Sequence, residues 1–223
     1  MLDRVRIRGI AFDMYGTLVD VGAVAKACRA VTPDPVAFNT EWRAKQLEYA
    51  FLRGLMEEFQ DFCEVTRQAL DFTLKRNGIE ASAEQKATMM EAWMHPMAYP
   101  DVAPALERLG RYNLAVLSNG SRKMLERGLE RTGLARYFRH VLSVDVVHTF
   151  KPSPKVYAMA PQAFGCDRGG VLFVSSNSWD VIGAKAFGLQ VCWLNRKNAI
   201  LDPLGPKPDL TLTTFTSLTD TLT

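Results

Sequence analysis

The sequence predicts an α/β protein in which a doubly wound, mostly parallel sheet forms the core and a small helical cap domain is inserted after the first strand. Three observations lead to this fold class. Short apolar runs bounded by turn residues recur along the chain, helical patterns separate the later runs, and the stretch after the first run shows helical periodicity without a convincing strand. The core domain is therefore expected to comprise residues 1–20 and 99–223, and the cap domain residues 21–98.

Five short apolar runs predict the strands of the core sheet. In chain order they are IAF (Ile10 to Phe12), LAVLS (Leu114 to Ser118), HVLSV (His140 to Val144), VLFVS (Val171 to Ser175) and VCWL (Val191 to Leu194). Helical patterns such as SRKMLERGLERTG and SPKVYAMAPQAFG lie between the later runs. Strands that alternate with helices of this length are typical of a parallel sheet covered on both faces.

The expected cap domain is predicted to be helical throughout. In TEWRAKQLEYAFLRGLMEEF an apolar stripe recurs at helical spacing and comprises Leu47, Phe51, Leu52, Leu55, Met56 and Phe59. Gly78 in KRNGIE is a typical helix stop. At the other end of the chain, LTLTTFTSLTDTLT predicts a last strand followed by a frayed tail.

The composition excludes several functional classes. The chain has 223 residues and a formal net charge of +3, and its Lys and Arg residues are scattered, so no nucleic-acid partner is expected. No apolar run approaches the roughly 18 residues of a membrane span, and the N-terminus lacks the features of a signal peptide. Four cysteines far apart in sequence predict reduced thiols and a cytoplasmic protein. Without a dinucleotide fingerprint or a phosphate-binding loop, no organic cofactor is expected.

Polar side chains follow four of the predicted strands at the point where each strand ends. They are Asp13; Ser118 and Asn119; Lys151; and Ser175, Ser176, Asn177 and Asp180. In open α/β sheets ligands bind at the carboxyl ends of the strands, near a switch in strand order. The convergence of acids, hydroxyls, amides and a lysine at one edge therefore predicts a single active site.

These motifs resemble those of the haloacid dehalogenase (HAD) superfamily: an acid after the first strand, a Ser or Thr after the second, a Lys, and an acidic final loop. The closer resemblance is to the L-2-haloacid dehalogenases (type II), and FDMYGTLVD, WRAKQLEYAFLRGLM, LSNGS, FKPSPKVY and FVSSNSWD carry it. The resemblance implies a Rossmann-like core with a cap. It also implies hydrolysis of (S)-2-haloacids to (R)-2-hydroxyacids and halide, a small 2-haloalkanoic acid as substrate, and a homodimer.

The first motif keeps one acid, Asp13, and has Tyr15 where a second acid might be expected. Phosphatases of the superfamily use that second acid to protonate a departing alkoxide, whereas a halide ion is a weak base and leaves without a proton. The last loop, SSNSWD, likewise offers neutral side chains before Asp180, where phosphatases have acids that help to hold Mg²⁺. Both features favour dehalogenation and predict no metal.

By resemblance, the expected catalytic residues are Asp13, Thr17, Arg43, Ser118, Lys151, Tyr157, Ser175, Asn177 and Asp180. Asp13 would attack the carbon that bears the halogen and form an ester. Lys151 would pair with Asp13 and Asp180, and Asp180 and Asn177 would orient or activate the hydrolytic water. Which of these residues activates the water stays open.

The resemblance also implies a substrate-binding set, which comprises Met14, Tyr15, Arg43, Ser118, Asn119 and Trp179. Ser118 and backbone N–H groups near Tyr15 would hold the carboxylate of the substrate. Arg43, Asn119 and the ring edge of Trp179 would hold the halide. One departure stands out, because many relatives have a Gln directly after the WR of the cap helix and this chain has Ala44.

Two alternative functions stay open on the sequence alone. One is an Mg²⁺-dependent phosphatase or phosphonate hydrolase of the superfamily, and the other is a non-catalytic protein that binds carboxylates. The preferred halogen, the reactivity of fluoroacetate and the preferred chain length also stay open. Cap aromatics such as Trp42 and Phe62 are expected to be exposed and to serve a homodimer interface.

Overall fold

A six-stranded parallel sheet forms the core of the computed structural model, which describes residues 2–223. The strands of the protein are β1 (Gly9–Phe12), β2 (Val19–Asp20), β3 (Met97–Ala98), β4 (Asn113–Ser118), β5 (His140–Ser143), β6 (Val171–Ser175), β7 (Gln190–Leu194) and β8 (Leu210–Leu212). The helices are α1 (Ala25–Cys28), α2 (Pro35–Met56), α3 (Phe62–Arg76), α4 (Ala83–Met94), α5 (Val102–Arg108), α6 (Arg122–Arg131), α7 (Pro154–Tyr157), α8 (Met159–Phe164), α9 (Ser178–Phe187) and α10 (Phe215–Leu222).

The order of strands in the large sheet is β5-β4-β1-β6-β7-β8, and each neighbouring pair is parallel. Because β1 lies between β4 and β6, the chain winds away from β1 in both directions. The carboxyl end of β1 therefore lies at the switch in strand order, where open α/β sheets bind ligands. The predicted doubly wound parallel sheet is confirmed, and each of the five predicted strands is present within a residue or two of its expected bounds.

Helices α1 to α4 occupy the chain between β2 and β3, which pair with each other in an antiparallel two-stranded sheet. The three longer helices begin at residues whose side chains accept hydrogen bonds from the first turn, namely Asp34, Asp61 and Ser82. Strand β3 lies inside the segment that was expected to be entirely helical, and that detail of the prediction is wrong. A strand of two residues is too short to carry any periodicity.

The buried face of α2 differs from the predicted apolar stripe. The buried residues are Phe38, Asn39, Trp42, Gln46 and Ala50. Leu55 and Met56, at the end of the predicted stripe, are 81% and 59% exposed. Polar residues thus take part in the buried face of α2, and part of its apolar stripe meets solvent.

The expectation that Trp42 and Phe62 are exposed is wrong. Both side chains are fully buried, and the indole Nε1 of Trp42 donates to the Thr66 carbonyl of α3 at 2.9 Å. The ring of Trp42 also packs edge-on against Trp93 of α4, with centroids 5.8 Å apart. These aromatics hold the helices of the segment together, so neither is available to a second copy of the chain.

The C-terminal residues form helix α10 rather than the predicted frayed tail. Thr214 caps the helix by accepting from the Ser217 amide, and Phe215, Leu218 and Leu222 are buried. The ring of Phe215 stacks on Phe12 of β1 at 5.7 Å. The end of the chain therefore belongs to the core that supports the central strand.

Candidate active site

Asp13 is the first residue after β1, and it stays aligned with the sheet because its amide donates to the Val174 carbonyl at 3.0 Å. The chain then turns back at Gly16, whose φ of +95° is accessible to glycine at little cost. The Leu18 amide closes this turn on the Met14 carbonyl at 2.9 Å. The turn leaves the Asp13 carboxylate at the carboxyl edge of the sheet, 5% exposed.

Three donors hold the carboxylate of Asp13. Its Oδ2 accepts from Thr17 Oγ1 at 3.0 Å and from Asn177 Nδ2 at 2.9 Å, whereas its Oδ1 accepts from Lys151 Nζ at 3.1 Å. The two oxygens are therefore unequal, because two donors restrain Oδ2 and one donor restrains Oδ1. The carboxylate is fixed in orientation while Oδ1 keeps a lone pair free.

Lys151 joins Asp13 to a second acid, Asp180. Its ammonium lies 2.9 Å from Asp180 Oδ2, and both side chains are fully buried. Ser175 Oγ donates to the same oxygen at 3.0 Å, and Tyr157 donates its hydroxyl to Asp180 Oδ1 at 2.8 Å. Burial raises the pKa of Asp180 to about 6, against the opposing effect of the Lys151 ammonium. Asp180 is therefore a carboxylate at neutral pH whose protonation begins in mild acid.

A small cavity opens beside Asp13. Its lining residues are Asp13, Tyr15, Arg43, Leu47, Phe62, Ser118, Asn119 and Trp179. The cavity thus combines one carboxylate, one guanidinium, small polar groups and an apolar wall. A cavity with this combination of groups suits an organic anion.

Arg43 reaches the cavity from α2. Its Nη1 donates to Gln46 Oε1 at 2.5 Å, and its Cζ lies 5.4 Å from the centre of the Trp93 ring. Burial lowers the pKa of Arg43 to about 10, although the Asp13 carboxylate acts in the opposite direction. The guanidinium therefore stays cationic at neutral pH and provides positive charge inside the cavity.

Asn119 offers a free donor to the cavity. Its Oδ1 accepts from the Lys151 amide at 2.8 Å, while its buried Nδ2 has no hydrogen-bond partner among residues 2–223. Ser118 Oγ accepts from the Gly120 amide at 3.2 Å, so the proton of its hydroxyl is free for another acceptor. Both groups therefore present N–H or O–H donors where an anion would lie.

The hydroxyl of Tyr15 is not available as an acid. It donates to the Trp93 carbonyl at 3.2 Å, and burial raises the pKa of Tyr15 well above its usual value. The ring remains as part of the cavity wall. Trp179 forms another part of the wall, and its ring packs edge-on against Phe51 at 5.1 Å.

Most of the residues that were expected in the site lie together. Met14 is an exception among the side chains, because it packs toward Gly128 of α6 and only its backbone lies near Asp13. The hydroxyl of Tyr157 was expected near Lys151. It donates to Asp180, the acid that pairs with Lys151. Ala44 is exposed and does not line the cavity.

Three residues at the site were not predicted from the sequence. Leu47 and Phe62 line the cavity, and Gln46 is fully buried and binds Arg43. Gln46 lies three positions after Arg43, a spacing that places two side chains side by side on a helix. This spacing could have predicted that Gln46 contacts Arg43. Phe62 lies on a different helix, and no pattern in the sequence links it to the site.

The acids of the site do not form a metal centre in this geometry. No group of three or more His, Cys, Asp or Glu side chains within residues 2–223 has the arrangement of a metal site. The space between Asp13 and Asp180 is taken by the Lys151 ammonium, which contacts both carboxylates. This donor set fits an internal cation and does not fit Mg²⁺, which prefers several oxygen ligands in octahedral geometry.

Comparisons with known proteins show the family to which the chain belongs. The family model described as haloacid dehalogenase-like hydrolase matches residues 7–188. The chain belongs to the haloacid dehalogenase-like hydrolases. The resemblance stated from the motifs is therefore confirmed at the level of the family.

Several similar haloacid dehalogenase-like hydrolases carry specific names. The chain is 40% identical to an (S)-2-haloacid dehalogenase of Pseudomonas sp. (strain YL), over 96% of this chain and 94% of that protein. It is 42% identical to haloacetate dehalogenase H-2 of Moraxella sp. (strain B), over 93% of this chain and 94% of that protein. A solved structure of L-2-haloacid dehalogenase from Xanthobacter autotrophicus with chloropropionic acid covalently bound matches with a TM-score of 0.90 and 36% identity, covering 96% of this chain and 97% of that one.

Proposed function

We propose that this protein is a hydrolytic dehalogenase that converts (S)-2-haloacids to (R)-2-hydroxyacids and halide. The observation that carries the proposal is the single Asp13 carboxylate, held by Lys151 and facing a small cavity that also contains the Arg43 guanidinium. A nucleophile and a cation in one cavity suit an anionic substrate that loses a halide. The names of the similar proteins support the same reaction.

In the first step, Asp13 Oδ1 attacks the carbon that bears the halogen. A bond forms between Oδ1 and that carbon while the carbon–halogen bond breaks, and the halide leaves with the electron pair. Attack from the side opposite the halogen inverts the configuration at this carbon. The cationic Arg43 and the free donor of Asn119 lie where the halide charge develops, and Ser118 binds the carboxylate of the substrate.

In the second step, water attacks Cγ of the Asp13 ester. Negative charge develops on Oδ2, which Thr17 and Asn177 already stabilise through their donors. Asp180 accepts one proton from the water and returns it to the departing alkoxide as the bond from Cγ to the ester oxygen breaks. The second proton leaves the regenerated Asp13 carboxyl for solvent. The substrate carbon takes no part in this step, so the product keeps the inverted configuration.

The alternative functions fit the site less well. A phosphatase needs an acid for its leaving group, and the candidate at that position, Tyr15, has a buried hydroxyl bound to a carbonyl. A protein that only binds carboxylates has no need for the buried pair of Lys151 and Asp180 behind Asp13. Burying such charges costs free energy, which favours a role in the chemistry.

The proposal is tested by halide release from racemic 2-chloropropionate in the presence of EDTA. We expect chloride, (R)-lactate and unreacted (R)-2-chloropropionate from the wild-type protein, and no chloride from Asp13→Asn. Asn is nearly isosteric with Asp and tests the nucleophile with little change in packing. Hydrolysis of phosphate esters with Mg²⁺, without release of any halide, would instead support the phosphatase.

We also propose that residues 21–98 act as a cap over the core formed by residues 1–20 and 99–223. Arg43 of α2 and Phe62 of α3 line the same cavity as Asp13, which follows β1, and Ser118, which ends β4. A site built from both segments encloses a small substrate and keeps bulk water away from the nucleophile.

The cellular location and the oligomeric state also belong to the proposal. No helix within residues 2–223 is long and apolar enough to cross a membrane. The four cysteines are free thiols, which supports the proposed cytoplasmic location.

For a homodimer, we propose the exposed end of α2, where Leu52, Leu55 and Met56 are exposed beside Arg53 and Asp71. Apolar groups flanked by both signs of charge can pair with their own two-fold copies. Light scattering of Leu55→Glu, which we expect to be monomeric, tests this interface.

A further inference from the structure

Arg43 is anchored to a neutral acceptor, the carboxamide of Gln46. Arg43 Nη1 donates to Gln46 Oε1 at 2.5 Å, and the Gln46 side chain is fully buried. Both carboxylates of the site, those of Asp13 and Asp180, pair with Lys151. A guanidinium that is held by an amide keeps its whole positive charge, whereas a carboxylate at the same distance would compensate that charge.

The hydrogen bonds behind Arg43 run in one direction, because each group leaves its neighbour a single role. A guanidinium can only donate, so the Gln46 atom that faces it is the oxygen. Gln46 Nε2 therefore faces α3 and donates to Thr66 Oγ1 at 2.5 Å, and this hydroxyl donates to the Phe62 carbonyl at 2.5 Å. The series of bonds thus joins two residues that line the substrate cavity, Arg43 and Phe62, through two that are fully buried.

Two aromatic residues complete the surroundings of this series. The Cζ of Arg43 lies 5.4 Å from the centre of the Trp93 ring, and the indole N–H of Trp42 donates to the Thr66 carbonyl at 2.9 Å. Thr66 is therefore held both through its hydroxyl and through its carbonyl. Because the guanidinium is a rigid planar fork of five N–H donors, a bond that fixes Nη1 on Gln46 also sets the direction of the remaining donors.

We propose that Gln46 is the positioning residue of Arg43 and directs its guanidinium toward the leaving halide without neutralising its charge. This role rests on the proposed function, in which Arg43 binds the halide. Thr66 supports it from α3, because its hydroxyl fixes the Nε2 end of the amide. An acid in place of Gln46 would bind the guanidinium more strongly and would compete with the halide for its charge.

The test measures halide binding alongside turnover. (R)-Lactate formation from (S)-2-chloropropionate is followed with increasing bromide at constant ionic strength, which gives kcat/KM and the inhibition constant for bromide. Gln46→Met keeps the length of the side chain and removes the acceptor. We expect its inhibition constant to rise and its kcat/KM to fall, each about tenfold, as for the loss of one hydrogen bond to a charged group. Gln46→Glu restores an acceptor but adds a negative charge, so we expect it to recover neither value.

Two threonines of α3 provide a matched pair of variants. Thr66 and Thr73 are both fully buried, and the hydroxyl of each donates to the carbonyl four residues earlier, at 2.5 and 2.8 Å respectively. Of the two, Thr66 is the one that accepts from Gln46. We therefore expect Thr66→Val to raise the inhibition constant for bromide severalfold and Thr73→Val to leave it unchanged.

A purely structural role for Gln46 predicts that Gln46→Met is less stable in urea but is inhibited by bromide like the wild type, and that result would overturn the proposal. A wild-type inhibition constant in Gln46→Glu would overturn it as well, since the neutrality of the amide would then have no effect. If Gln46→Met does not fold, equal constants for Thr66→Val and Thr73→Val would overturn it. A wild-type protein that forms no lactate would refute the proposed function, whereas an active wild type with unchanged variants would refute the positioning role alone.

Discussion

Removal of the Tyr157 hydroxyl is expected to move the acid limb of the pH–rate profile upward. In the proposed second step Asp180 accepts a proton and must be ionised, so activity falls as the pH drops through the pKa of Asp180, about 6. Tyr157 donates to Asp180 Oδ1 at 2.8 Å and stabilises the ionised form. Tyr157→Phe removes that donor and keeps the ring, and its effect is therefore mainly on the carboxylate.

The magnitude follows from the type of hydrogen bond. A hydrogen bond to a charged group contributes about 1.5–3 kcal/mol, and one pKa unit corresponds to about 1.4 kcal/mol. The pKa of Asp180 should therefore rise by about one to two units in Tyr157→Phe, since Lys151 and Ser175 still donate to the other oxygen. At pH 7 the variant would then be partly protonated at Asp180 and slower than the wild type, and activity would recover in alkaline buffer.

The assay is steady-state chloride release from (S)-2-chloropropionate between mildly acidic and alkaline pH. Tyr112→Phe serves as the matched control, because the Tyr112 hydroxyl contacts the Leu222 carbonyl far from Asp180. An acid limb that stays in place while the rate falls equally at every pH would refute the reasoning. A limb that moves to lower pH would refute it as well, because the lost hydrogen bond would then have favoured the protonated acid.

Three further predictions concern the ion pair, the halide site and the terminal helix. Lys151→Met leaves the buried Asp180 without its ion-pair partner, so we expect the free energy of unfolding measured with urea at pH 7 to fall by about 3–5 kcal/mol. Arg43→Lys keeps the charge but loses the planar guanidinium, whose Nη1 donates to Gln46, and kcat/KM for chloride release is expected to fall about tenfold to a hundredfold, whereas an unchanged value would argue against contact with the leaving halide. Phe215→Ala removes a buried ring that stacks on the central strand and is expected to cost about 3–5 kcal/mol of unfolding free energy, while a loss below 1 kcal/mol would indicate that α10 contributes little to the core.

The core sheet and the candidate site at its carboxyl edge were predictable because their signals are local. A buried parallel strand is a short apolar run, and the candidate site residue ends the run or follows it directly, as Asp13 follows Phe12 and Ser175 ends VLFVS. Once the strands are assigned, their carboxyl ends must share one edge. The acid, the amides and the lysine therefore meet in space without any need to know how the helices pack.

The helical segment was harder to predict because its packing depends on residues distant in sequence. Gln46 is buried on α2 because Thr66 of α3 accepts its Nε2 at 2.5 Å and because Arg43 donates to its other end. Polarity alone would place such a residue in solvent. The terminal helix was missed because its Thr-rich sequence has low helix propensity, although the spacing of Phe215, Leu218 and Leu222 is helical.

Tyr15 shows how one substitution within the first motif affects both the chemistry and the architecture. An acid at this position would add a second negative charge beside Asp13 and would offer a proton that a halide does not need. Tyr15 instead donates its hydroxyl to the Trp93 carbonyl of α4, and its ring packs on the Trp93 ring at 5.7 Å. Arg43 also contacts Trp93, because its Cζ lies 5.4 Å from the centre of the same indole ring. Tyr15 therefore also ties the turn that carries Asp13, the proposed nucleophile, through Trp93 to Arg43, the proposed halide-binding residue.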